Sequence, residues 1–68
     1  MTVIKVIEIL AESKESWEDA VQKSVKVAAK TIDNIKSVYI KNIHAIVENN
    51  EICGYRVNAK TSFIVEED

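Results

Sequence analysis

Sixty-eight residues, 47% of them apolar and 29% charged, with a net charge of −2, make one domain at most. A chain this short buries only about 60% of its unfolded surface, so its own core is marginal and calls for a disulfide, a metal or partner subunits. Cys53 is the only cysteine and His44 the only histidine, which excludes an internal disulfide and a zinc site of Cys/His spacing and leaves self-association.

Residues 2–11 are β-branched and apolar enough for a strand. Val3, Ile7 and Ile9 fall on one face; Ile4, Val6 and Leu10 fall on the other. A sheet with one wet face does not need both faces apolar. Either this strand is ragged, or a neighbouring subunit covers its second face.

Residues 13–32 predict a helix. Ser13 or Ser16 can cap it, and Ser16 with Asp19 matches the S-x-x-[DE] capping pattern. Trp17, Ala20, Val21, Ser24, Val25, Ala28 and Ile32 form one stripe at about 100° per residue. Acidic Glu15, Glu18 and Asp19 come first and Lys26 and Lys30 last, an order that suits the helix dipole. Asp33-Asn34 is the expected stop.

Residues 36–48 and 51–66 read as the second and third strands, joined by Asn49-Asn50, which tolerates the positive φ of a tight hairpin. Tyr55, Val57, Ala59, Thr61, Phe63 and Val65 should meet the helix stripe; Arg56, Asn58, Lys60 and Ser62 should face away. The fold class is therefore α+β: a β-α-β-β chain with a three-stranded antiparallel sheet, order 1-3-2, covered by one helix around which the hairpin can curl. A helix of about 17 residues spans about 25 Å. A strand of about 14 spans roughly 46 Å. The hairpin therefore outruns its covering helix, and the overhang is expected to pack on another copy.

Several classes of function lose their basis. No apolar run approaches the roughly 18 residues of a membrane span, and the N-terminal MTVIKVIEIL is too short and charge-broken for a signal peptide. There is no basic excess for nucleic acid, and one glycine cannot build a phosphate loop. A free cysteine fits a reducing cytoplasm. No Ser-His-Asp, paired-carboxylate or H-E-x-x-H pattern is present, so no catalytic residue and no enzyme activity is expected.

Trp17 reads as a core anchor rather than a stacking platform. Lone His44 reads as a surface or interface residue, and Cys53 as a small packing residue rather than a nucleophile. The acidic end Glu66-Glu67-Asp68 reads as solvated. The most site-like feature is the row Arg56, Asn58, Lys60 and Ser62. It is either a solvated sheet face or a polar wall between subunits, where Arg56 or Lys60 would bind an anion. Glu8, Glu12, Glu48 and Glu51 supply carboxylates for a hard cation such as calcium, though no single-chain motif gathers them, so any such site would assemble across subunits.

The runs VIKVIEILAESKESWEDAV, KTIDNIKSVYIKNI and YRVNAKTSFIVEE together resemble the dodecins over nearly the whole chain, residues 1–68 forming one dodecin-like domain. The resemblance implies a β-α-β-β subunit whose three-stranded sheet is wrapped around one helix, and twelve copies in a hollow, tetrahedrally symmetric shell. In the best-known branch, flavins are stored in stacked pairs against a tryptophan at the start of the second strand and a glutamine on the third. Here Ser37 stands at the first position and Arg56 at the second, and Ala11-Glu12-Ser13 replaces a frequent Gly-Thr-Ser. Loss of an aromatic platform removes stacking of about 1–3 kcal/mol per ring, which argues against flavin in the usual stacked mode. The segments Ser-Trp-Glu-Asp-Ala-Val and Tyr-Arg-Val-Asn are similar to a second branch, one that lacks the tryptophan and is associated with calcium. The implied function is a shell that binds, stores or buffers a small ligand or ion through Ser37, Arg56, Asn58 and Lys60. The alternatives are a purely structural or protein-interaction assembly, and flavin bound in an altered geometry.

Overall fold

The computed structural model describes residues 1–67. The expected acidic end includes Asp68, which lies outside the described residues. The elements are β1 (Thr2–Ser13), α1 (Trp17–Ala28), β2 (Ile35–Glu48) and β3 (Glu51–Glu67). β3 is the central strand, antiparallel to both neighbours, in the order β1-β3-β2. The expected topology therefore holds. The hairpin turn places Asn49 and Asn50 at φ of 53° and 65°, the left-handed pair that a two-residue hairpin demands.

The helix is shorter than the expected 13–32. Ser13 is still in β1 and buried, and its hydroxyl donates to Asp19 Oδ2 at 2.5 Å. Ser16 is the cap, accepting from the Asp19 amide at 3.0 Å. Asp19 does not complete a reciprocal capping box. Its carboxylate turns instead to Ser13 and to Lys23 Nζ, 3.0 Å away. At the other end Ala29, Lys30 and Thr31 tighten into a turn closed by three-residue hydrogen bonds such as Lys30 N–H to the Val27 carbonyl. Asn34, at φ 61°, then redirects the chain into β2.

The helix lays Ala20, Ser24 and Ala28 against β1 and β3, burying Val57, Ala59 and Thr61 beneath it. Small residues on both surfaces let the helix approach the sheet closely. The close approaches of α1 are to β1 and β3 rather than to β2. Two apolar expectations fail for identifiable reasons. Trp17, at the first helical position, is 39% exposed rather than a core anchor, because the chain has only just left β1 there. Val65 is exposed because the β1–β3 register slips between Val3 and Ile4, leaving Val65 as an extra residue.

Twelve helical residues span about 18 Å, whereas the molecule is 53 Å long. The radius of gyration is 14.0 Å, against about 11 Å for a compact chain of this length. The overhang is thus larger than the sequence implied. Ile43, Val47 and Ile52 are exposed on the hairpin, and Ile4, Val6, Leu10 and Tyr39 on the sheet face away from the helix. Cys53, expected to pack, is exposed as well. It is the extra residue where the β2–β3 register slips between Ile46 and Val47. No helix among the described residues is long and apolar enough to cross a membrane.

Candidate functional site

On β3, Arg56, Asn58 and Lys60 alternate with the buried Val57, Ala59 and Thr61. Strand geometry therefore turns their side chains to the sheet face opposite the helix. The register sets three cross-strand rows there. Arg56 lies between Glu12 and His44, Asn58 between Leu10 and Asn42, and Lys60 between Glu8 and Tyr39. Ser37 sits one row further on, opposite Ser62. All four predicted residues thus share one face, with Ser37 at the edge of the patch rather than among the other three.

The charges on this face are largely matched. Arg56 Nε donates to Glu12 Oε2 at 2.7 Å. Glu8 faces Lys60 across the strands and its Oε2 lies 3.7 Å from Lys41 Nζ. Asn58 is different. Its side-chain Oδ1 is shielded from solvent and has no hydrogen-bond partner among the described residues. A buried acceptor left in that state costs about 1–3 kcal/mol.

Sequence reasoning missed the partners of this row. The sequence pattern gives Glu12 no partner and does not single out Tyr39. The Glu12–Arg56 pairing follows from the strand register, which a sequence pattern leaves free by several residues. Tyr39 exposes 67% of its surface beside Lys60, two residues beyond Ser37. His44 is exposed, as expected, next to Arg56.

A cavity of about 530 Å³ opens where β1 leaves the sheet and leads into α1, and is lined in part by Glu12, Lys14, Glu15, Lys23, Ile46 and Glu48. Its charges are mixed. Among the described residues no three His, Cys, Asp or Glu side chains come together as a metal cluster. The carboxylates of Glu8, Glu12, Glu48 and Glu51 therefore do not form a calcium site within one chain.

A long antiparallel hairpin, one short helix on one face and the order β1-β3-β2 are the traits that known proteins can be compared on. The Dodecin family model matches residues 3–66. The chain belongs to the dodecin family. It is 32% identical over 63 residues to a calcium dodecin of Mycobacterium tuberculosis, covering 93% of this chain and 89% of that protein. The crystal structure of a calcium dodecin from the same organism, described as having a novel calcium-binding site, superposes with a TM-score of 0.82 at 29% identity, covering 97% of this chain and 94% of that one. A single-site variant of the Thermus thermophilus dodecin matches with a TM-score of 0.91 at 27% identity, covering 98% of this chain and all of that one.

Proposed function

We propose that copies of this chain assemble, twelve of them as the dodecin resemblance implies, into a hollow shell that binds and stores a small ligand or ion without catalysing a reaction. The observation that carries this reading is the sheet face away from the helix. Ile4, Val6, Leu10 and Tyr39 leave it too apolar for a solvated surface, while Asn58 holds an unsatisfied acceptor at its centre. Packing against a second copy would bury the apolar groups and enclose Ser37, Arg56, Asn58 and Lys60 as the wall of a site. The single free cysteine fits a cytoplasmic setting.

Calcium is the first ion to test, because a relative at 32% identity is a calcium dodecin. With no metal cluster among the described residues of one chain, a calcium site would draw carboxylates from more than one subunit. Flavin in the usual stacked mode finds serine, not an aromatic ring, at position 37. The altered geometry that remains would use the exposed ring of Tyr39.

Native mass spectrometry of the protein purified without chelators tests the reading. A twelve-subunit mass, with retained ligand or with a melting temperature that rises on calcium addition, is the expected result. A monomer at micromolar concentration overturns it. A second reading, an assembly with no small ligand, is favoured by the internal balance of Arg56 with Glu12 and Glu8 with Lys41. It predicts the same mass with no ligand retained and no thermal response to calcium or flavin.

A further inference from the structure

The cavity where β1 leads into α1 has a volume of about 530 Å³, within the roughly 300–1,000 Å³ of ligand pockets. Part of its wall is Gly54, the only glycine of the chain. Glycine inside a strand weakens it, and here the backbone gives no reason for the choice. Gly54 has no positive φ. The extra residue at the neighbouring register slip is Cys53, not Gly54. A Cβ at position 54 would lie 3.4 Å from the Ser13 carbonyl oxygen and 3.7 Å from Ile46 Cδ1, ordinary contacts rather than clashes. Ser13 and Ile46 line the same cavity. The effect of the missing side chain is therefore to leave that wall open.

The charges around the cavity divide into paired and unpaired groups. Glu12 is held by Arg56 at 2.7 Å, and Lys23 by Asp19 at 3.0 Å. Lys14, Glu15 and Glu48 have no ion pair among the described residues. One unpaired ammonium and two unpaired carboxylates thus border one space, beside the apolar Ile46. A simple anion there would meet two carboxylates, and a simple cation would meet Lys14. A molecule that carries both signs, with cation in excess, satisfies all three.

We propose that this cavity binds a small zwitterion, a basic amino acid or a short peptide with one carboxylate and two ammonium groups. Lys14 takes the carboxylate, and Glu15 and Glu48 take the ammonium groups. Charge-assisted hydrogen bonds of both signs orient such a ligand, Ile46 packs on its aliphatic part, and the space beside Gly54 admits it. Every one of these groups belongs to a single chain, so the site depends neither on the assembly nor on the row Ser37, Arg56, Asn58 and Lys60. Cys53 also lines the cavity, and its thiol is exposed. It serves as a reporter of occupancy and is not needed for binding.

L-Lysine is the probe, titrated calorimetrically into the full chain, with the rate of Cys53 alkylation by iodoacetamide as a second readout. Saturable binding that slows alkylation at least threefold is expected. Butylamine and butyrate, which carry one charge each, and L-glutamate, with its excess of the wrong sign, should bind at least tenfold more weakly. Gly54→Val, which fills the space, should weaken lysine binding at least fivefold, as should Lys14→Gln and Glu48→Gln. Circular dichroism and native mass check that each variant keeps its fold and its subunit number. Where valine disturbs either, Gly54→Ala replaces it, because its methyl makes only ordinary contacts, and a twofold loss is then expected. No lysine binding at millimolar concentration overturns the proposal. So does binding that leaves Cys53 alkylation unchanged, binding unaltered in all the variants, or butylamine binding as tightly as lysine.

Discussion

Along the central strand, Val57, Ala59 and Thr61 lie fully buried beneath α1, while Ile52, only five residues from Val57, is 60% exposed on the hairpin. Both regions belong to the same strand, carry β-branched apolar residues and are hydrogen-bonded in the same sheet. They differ in what covers them. A helix of about 18 Å shields the rows shared with β1 and stops, and the hairpin continues beyond it. Strand propensity thus built 17 residues of β3, but only part of that length has a core to join. The covered region should hold the subunit together; the uncovered one should hold subunits to each other.

The hardest test of this division is a charge under the helix. Val57→Asp places an unpaired carboxylate at a fully buried position, a cost of at least about 3–5 kcal/mol, comparable to the whole stability of a small domain. Circular dichroism should show an unfolded chain. By contrast, Ile52→Asp should keep the subunit's secondary structure and weaken assembly, read as a lower mass on sedimentation. A folded Val57→Asp variant would erase the distinction.

A smaller effect of the opposite sign should come from the same buried region. Thr61 Oγ1 is buried without a hydrogen-bond partner among the described residues. Thr61→Val keeps the shape and removes the orphaned hydroxyl, and should raise stability by about 1 kcal/mol in urea unfolding. Loss of stability instead would mean that the hydroxyl has found a partner.

Asp19 sharpens the comparison at the boundary between the two regions. The Ser13 hydroxyl, and then Lys23, hold its carboxyl below the usual value of 3.8. A depressed folded pKa adds stability that is fully present above the unfolded value and is lost as pH falls through the folded one. Stability should therefore decline below about pH 4 with a contribution that Asp19→Asn removes, leaving a flatter acid limb in thermal melts. The smallest effect should be that of Arg56→Ala. Its ion pair with Glu12 is half-exposed, and such pairs contribute roughly 0.2–1 kcal/mol. Any larger change, in stability or in ligand response, would indicate that the polar face is enclosed by another copy.

Much of the architecture was legible because it depends on local rules. The Asn49-Asn50 turn, the alternation through Val57, Ala59 and Thr61 and the stripe of Ala20, Ser24 and Ala28 are short-range patterns that fix strand, hairpin and helix. The helix ends were less legible. Ser13 and Ser16 are both competent caps, and the choice fell to Ser16 because β1 pairs with β3 as far as Ser13. Cys53 and Val65 were misplaced for a common reason. Each is an extra residue at a register slip, and one inserted residue reverses the face of everything beyond it. The site was half visible. Arg56, Asn58 and Lys60 follow from alternation alone, but their neighbours Glu12, Leu10 and Tyr39 come from other strands.

Sequence by itself determined the element order, the hairpin turn and the polar row on β3. Those depend on contacts near in the chain. Only the tertiary structure decided that the helix packs chiefly on β1 and β3, that Arg56 is matched by Glu12 and that Asn58 Oδ1 has no partner among the described residues. These depend on register and on how far a 12-residue helix reaches along a sheet. Both are long-range quantities, settled when the whole chain packs rather than residue by residue.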